Sequence, residues 1–201
     1  SNEKFKKTNS ILYPHSVGLL YGTFTEFLGF KPDSDEWKTM ALASFAIKKN
    51  SFDKKIKKLY KLTKSGFELD LSFFDYYQFD KKPHFFNKKF CELFGSIREK
   101  NSKINSRHHQ IAGALQRAFE RIVYHLLSIT KKNGCGSENI ILAGGAAMNC
   151  VFNGLLNKKS IYKNNYIPPW PDDSGVSIGA TYLANFIKKK KNLIKENCKK
   201  Q

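Results

Sequence analysis

Val17, Leu20, Tyr21, Phe24 and Leu28 recur at helical spacing between Pro14 and Gly29, which predicts an amphipathic helix over 16–28 that stops at a glycine. A second helix is expected to start near Ser34, whose hydroxyl can cap it, and to carry Trp37, Met40 and Ala41 toward Phe45. Residues 48–61 are lysine-rich with Phe52, Ile56 and Leu59 at helical intervals, and predict a third, more exposed helix. From Gly66 to Leu71 the period changes: Phe67, Leu69 and Leu71 alternate with Glu68 and Asp70, the pattern of a half-buried strand. Phe73 to Phe94 is aromatic-rich and broken by Pro83, so it reads as loop and short helix anchored to the core by Phe85, Phe86, Phe90 and Phe94.

After a polar stretch from Asn101 to His109, the clearest helix is predicted over 110–132, with Ile111, Leu115, Phe119, Ile122, Leu126 and Ile129 on one stripe. Its Lys131-Lys132 end suits the negative end of the helix dipole, and Asn133-Gly134 is expected to stop it. Asn139 to Ala143 then reads as a short apolar strand, Gly144-Gly145 as a tight turn, Ala146 to Leu156 as a helix, and Tyr166-Ile167 as a second strand before Pro168-Pro169. A final helix from about Ser174 through Ile178, Tyr182 and Phe186 should run into a frayed lysine-rich tail over 188–201. Strand, glycine turn, helix and strand in this order form a βαβ-type unit, which puts the turn at the carboxyl end of the first strand. Such a turn can receive a phosphate, because glycines leave backbone amides accessible and the following helix begins with free N–H groups. It can equally serve close packing of helix on strand. The spacing is neither GxxxxGKS nor GxGxxG, which excludes the ordinary P-loop and Rossmann readings.

The expected fold class is α/β, a small mixed sheet with helices 16–28, 110–132 and 174–187 against it and 48–109 as a peripheral insert. At 201 residues and 41% hydrophobic, one domain over 1–187 with the tail 188–201 is the natural reading. No apolar run approaches the roughly 18–20 residues that span a bilayer, and Ser1 to Ser10 lack a signal-peptide apolar region, so a cytoplasmic chain with no membrane partner is expected. Cys91, Cys135, Cys150 and Cys198 show no CxxC spacing and are expected as reduced thiols. The formal charge of +18 raises the question of a nucleic-acid partner. The cations argue against it: Arg98, Arg107, Arg117 and Arg121 are the only arginines among 35 basic residues, and the lysines fall in short runs everywhere with no aromatic-interleaved stripe.

Five ordered blocks carry a more specific signal. The stretch Ile140-Ile-Leu-Ala-Gly-Gly-Ala-Ala-Met-Asn-Cys-Val-Phe-Asn-Gly154 resembles the LxGGVALNCxxNG motif of the O-carbamoyltransferases of the nodulation protein U and antibiotic carbamoyltransferase type. His15-Ser-Val-Gly-Leu-Leu-Tyr21 with Leu28-Gly-Phe30, Glu36-Trp-Lys-Thr-Met-Ala-Leu-Ala43, Gln110-Ile-Ala-Gly-Ala-Leu-Gln116 and Pro168 to Ala180 are similar to further motifs of that family, in the same order. The departures are small: Ala41 stands where the family has Gly, and Ser44-Phe45 where it continues toward Pro-Tyr-Gly.

The resemblance implies the second lobe of an actin-like ATPase (ribonuclease H-like) domain. Members of the family join carbamoyl phosphate and ATP into carbamoyl-adenylate, then pass the carbamoyl group to a hydroxyl of a small-molecule acceptor. By the same resemblance, Gly144 and Gly145 would abut the adenylate phosphate, Asn149 would bond the nucleotide, Gly18 and Ser16 would lie near the ribose, and Asp173 would ligate iron(II). The family's first lobe, with its paired metal-binding histidines, would precede residue 1, and the adenylate-forming domain would follow. Both are therefore expected partners, and the chain alone is expected to be inactive. His108-His109 cannot stand in for that pair, because adjacent residues at a helix start point about 100° apart. His15 is expected as a hydrogen-bonding residue rather than a ligand, and neither His84 nor His125 has a neighbouring ligand in sequence. Two other readings are an inert scaffold module of the same ancestry and a basic nucleic-acid-binding protein.

Overall fold

Ser16 starts the first helix, its hydroxyl accepting from the Leu19 N–H at 3.2 Å, and α1 (Val17–Phe27) buries Leu20, Phe24 and Phe27 completely. The structure, a computed structural model, describes residues 7–81, 83–133, 136–159 and 161–198. The second helix, α2 (Glu36–Ala43), is shorter than expected and is not capped by Ser34: Glu36 instead reaches back to accept from the Asp33 N–H at 2.8 Å. It turns Thr39 and Leu42 inward and leaves Trp37 exposed. The helix predicted over 48–61 is cut to α3 (Phe52–Ile56) and a 3-10 turn over Lys57–Leu59. Beyond it the chain becomes β1 (Tyr60–Thr63), which pairs antiparallel with β2 (Gly66–Leu69) through a two-residue connection. Tyr60 and Thr63 are strand-favouring residues in a segment that can pair immediately with the expected strand, and that pairing outweighs the helical spacing of Phe52, Ile56 and Leu59.

The following aromatic stretch holds α4 (Lys88–Phe94), capped by Asn87, whose side chain accepts from the Lys89 N–H at 3.0 Å. Phe86, Phe90 and Phe94 are buried as anticipated and meet Phe27 edge-on at centroid distances of 5.4, 5.2 and 6.3 Å. The long helix α5 (Ser106–Asn133) begins one turn before the predicted start, so His108 lies within it and is buried. The stripe of Ile111, Leu115, Phe119 and Ile122 receives α1, α2 and α3. Gly134, the expected stop, lies outside the described residues, as do Cys135 and the end of the tail.

The C-terminal third contains the anticipated βαβ unit in altered detail. Strands β3 (Asn139–Ile141) and β4 (Asn164–Tyr166) pair in parallel, Ile140 opposite Asn165. Between them the predicted helix over 146–156 is two pieces: a 3-10 turn, Gly145–Met148, and α6 (Cys150–Lys159), separated by Asn149 at φ −70° and ψ 90°. The expected single sheet is thus two separate two-stranded sheets among the described residues. The last helix, α7 (Val176–Cys198), follows a 3-10 turn at Asp173–Gly175. It was expected to pack against the sheet, yet Val176, Tyr182 and Phe186 are 69%, 74% and 62% exposed. Its apolar stripe finds no covering surface among the described residues.

Candidate functional site

Gly144 leaves β3 at φ 95° and ψ 162°, a backbone state that is essentially reserved for glycine. That conformation lets its N–H donate to the Pro171 carbonyl at 2.6 Å. The bond ties the glycine turn to a segment stiffened by Pro168, Pro169 and Pro171. At the far end of this segment Gly175 is obligatory for a different reason: a Cβ there would stand 2.2 Å from the Trp170 carbonyl oxygen. Asp172 caps the intervening 3-10 turn, its Oδ1 accepting from the Ser174 N–H at 3.3 Å. Together these contacts put Gly144 and Asp173, distant in sequence, on one open cavity of about 610 Å³ that Tyr166, Trp170 and Tyr182 also line.

A Cβ at Gly144 or Gly145 would meet nothing within 4 Å among the described residues. Close packing of helix on strand is therefore not what these two glycines serve. The Gly144 amide is taken by Pro171, so the amides of the turn with no backbone acceptor among the described residues are those of Gly145 and Ala146, which open the 3-10 turn.

Asn149 is anchored from beneath. Its Oδ1 accepts from the Phe152 N–H at 2.9 Å, the geometry of an N-cap for α6, and also from Gln116 Nε2 at 3.0 Å. Asn149 Nδ2 returns a bond to Gln116 Oε1 at 2.9 Å, and that same oxygen accepts from the Tyr21 hydroxyl at 3.0 Å. Gln116 Nε2 donates in addition to Glu120 at 3.1 Å. Burial pushes the Tyr21 phenol far above its ordinary range, with the Asn149 hydrogen bond opposing it, so Tyr21 stays a neutral donor. This buried chain of amides links α1, α5 and α6 and fixes the stretch that follows the glycine turn.

Ser16 and Gly18 lie on the first turn of α1, which packs against the 3-10 turn Gly145–Met148. The Ser16 hydroxyl is engaged in capping its own helix, while Gly18 is exposed. Neither lines the cavity shared by Gly144 and Asp173.

The family model for the carbamoyltransferase N-terminus matches residues 1–182. This chain belongs to that family. An uncharacterized protein of Synechocystis sp. is 40% identical over 172 residues, covering 85% of this chain and 27% of its own length. An uncharacterized protein of Methanocaldococcus jannaschii is 31% identical over 170 residues, covering 84% and 25%. Nodulation protein NolNO of Sinorhizobium fredii is 29% identical over 174 residues, covering 84% and 22%. The chain therefore spans about a quarter of the length of the relatives it matches.

Asp173 is exposed, with no hydrogen bond or ion pair to its carboxylate among the described residues. No group of three or more His, Cys, Asp or Glu is placed to hold a metal ion among those residues. The donor set present, one carboxylate, does not fit iron(II) by itself. Four of the five histidines are otherwise occupied. His15 Nδ1 accepts from the Leu69 N–H at 3.0 Å, His125 Nε2 bonds the Thr63 carbonyl at 2.8 Å, and His84 pairs with Glu26 at 2.8 Å. His108 Nδ1 accepts from the Asn105 N–H at 3.0 Å, and burial, aided by the positive charge of Arg107, brings its pKa down to about 4. Cys91 and Cys150 are free thiols. No helix among the described residues is long and apolar enough to cross a membrane.

Gln116, Trp170 and Tyr182 belong to this site or its support, although sequence reasoning assigned them no role. Gln116 carried a usable signal: a polar amide between Leu115 and Phe119 on the most apolar face of the chain, where burial demands a partner. Trp170 and Tyr182 carried none, because aromatic residues at such spacing are ordinarily core.

Proposed function

We propose that the chain forms one wall of the nucleotide site of an O-carbamoyltransferase, where a carbamoyl group passes from carbamoyl-adenylate to the hydroxyl of a small-molecule acceptor. The observation that carries this reading is the Gly144–Pro171 bond, which joins two motif blocks of the family across one cavity. In the transfer, the acceptor oxygen bonds to the carbamoyl carbon while the bond from that carbon to the AMP phosphate oxygen breaks. AMP leaves with the electron pair, and a base takes the hydroxyl proton. The part of this chain is to hold the nucleotide: the Gly145 and Ala146 amides offer two donors to the phosphate, and the buried pair of Asn149 and Gln116 fixes the backbone that presents them. No step is routed through iron(II), since Asp173 alone does not fit it.

The rest of the family protein, comprising the first lobe and the adenylate-forming domain, is the proposed partner. The exposed apolar stripe of α7 supports a second wall that covers it. The test combines the purified chain with the remainder of the Synechocystis relative, ATP and radiolabelled carbamoyl phosphate. AMP release and label transfer to an alcohol acceptor that require both components are expected. A complex of the two components that turns over neither substrate would overturn the reading.

A further inference from the structure

The start of α5 carries the opposite charge from the one its helix dipole favours. A helix begins at the positive end of that dipole, where carboxylates are stabilising, yet this 28-residue helix has no acidic residue in its first turn and opens with Arg107, His108 and His109. Neither Arg107 nor the nearby buried Arg98 forms an ion pair among the described residues. Each guanidinium rests on neutral carbonyls instead. Arg98 donates to Leu28 at 2.8 Å and to Ser102 at 2.7 Å, while Arg107 donates through Nη1 to Phe94 at 2.9 Å and through Nη2 to Ser96 at 2.7 Å. Gly95 completes the seat of Arg107, since a Cβ there would stand 2.6 Å from Nη1.

His108 adds a buried donor to this fixed charge. Its side chain belongs to a residue only 4% exposed, and Nδ1 accepts from the Asn105 N–H at 3.0 Å, so the proton of the neutral imidazole sits on Nε2. Nε2 lies 3.3 Å from Arg107 Nη2, which is itself a donor. Two donors do not bond each other, but at this separation they can share one acceptor oxygen. No acceptor bonds Nε2 among the described residues. The charged groups that face His108 are Arg107 and His109 from α5 and Arg98 from the segment before it, with no carboxylate among them. Gly95 and Ser96 are exposed, which opens the Arg107 side of the pair to solvent.

We infer that Arg107 Nη2 and His108 Nε2 form an oxyanion site at the N-terminus of α5, where one oxygen of a phosphate or carboxylate accepts from both. The site is distinct from the glycine turn and independent of the nucleotide reading, because neither residue lines the cavity shared by Gly144 and Asp173. An anion held there favours the imidazolium, so occupancy raises the His108 pKa above its value of about 4.

The test follows the ring nitrogens of isotope-labelled histidine in the full chain, with His15 as internal control because its Nδ1 also accepts a backbone N–H and it bonds no arginine among the described residues. Phosphate, acetate and chloride are titrated separately at equal ionic strength. Phosphate or acetate is expected to shift His108 Nε2 saturably at millimolar concentration, to raise the His108 pKa and to leave His15 in place, the tighter of the two giving the type of oxyanion. Arg107→Gln should weaken that binding about tenfold or more, and Arg107→Lys, which keeps the charge without the fork, should retain part of it; circular dichroism confirms that each variant is folded. The wild-type titration decides the matter if either variant fails to fold. A His108 resonance unmoved by both oxyanions, a chloride response equal to theirs, a water that stays on Nε2–H in saturating phosphate, or undiminished binding by folded Arg107→Gln would each overturn the inference.

Discussion

Replacing Asn149 with Ala tests the support under the glycine turn, because it removes an N-cap and a reciprocal amide pair together. Loss of the cap to the Phe152 N–H is worth about 1 kcal/mol. The two bonds exchanged with Gln116 contribute net about 1 kcal/mol each. Gln116 is not orphaned by the change, since Tyr21 still donates to its Oε1 and Glu120 still accepts from its Nε2. The expected destabilisation is therefore about 2–3 kcal/mol, without the larger penalty of a stranded buried amide. Asn149→Ser separates the contributions: its hydroxyl can cap α6 but cannot pair with Gln116, so it should cost about 1–2 kcal/mol. Urea unfolding followed by circular dichroism gives each value as a shift of midpoint at constant slope. A double-mutant cycle with Gln116→Ala should return a coupling of about 1 kcal/mol or more. Additive effects, with coupling below about 0.3 kcal/mol, would refute the claim that this pair holds α5 to α6.

Gly144→Ala should destabilise by about 1–3 kcal/mol because its backbone state is closed to side chains, whereas Gly145→Ala, whose Cβ meets nothing, should change stability by less than about 0.5 kcal/mol; the same unfolding assay compares them. His108 has a pKa lowered from 6.5 to about 4, so the unfolded chain binds its proton first: the stability it protects is fully present above pH 6.5 and is lost as pH falls toward 4. His108→Gln, which can keep the bond from the Asn105 N–H, should flatten stability over that window, and an unchanged profile counts against the buried neutral imidazole. The chain alone should show no measurable carbamoyl transfer, because one wall cannot enclose and orient two substrates; turnover lost in Asp173→Ala would contradict this.

The glycine turn was legible because motif, strand and turn chemistry agreed there, and the parallel pairing of β3 with β4 follows from the same order of elements. Two local features escaped. The lysine-rich run with Phe52, Ile56 and Leu59 at helical intervals reads as helix through residue 61, yet Tyr60–Thr63 is a strand because its partner Gly66–Leu69 lies a short turn away. Asn149 reads as one residue within a continuous helix, yet it is the cap that begins a new one, a distinction that depends on Gln116 reaching it from α5. The helix through Ile178, Tyr182 and Phe186 is legible in the sequence, but not that these residues stay exposed, since periodicity gives the apolar face of a helix and not the surface that meets it. The aromatic cavity was invisible for a related reason: Trp170 and Tyr182 become neighbours of Gly144 only through the Gly144–Pro171 bond.

The central claim is that residues 144–173 present a nucleotide wall, and titration of the labelled chain with AMP, followed at every backbone amide, tests it most directly. Two amides at about 1–1.5 kcal/mol each do not offset the roughly 4 kcal/mol lost on immobilising a ligand, so the affinity of one wall should be no tighter than about millimolar. The account predicts saturable shifts centred on Gly145, Ala146 and Asp173, abolished in Gly145→Val. Shifts confined to the lysine-rich faces and removed by salt, with the glycine turn unmoved, would contradict it.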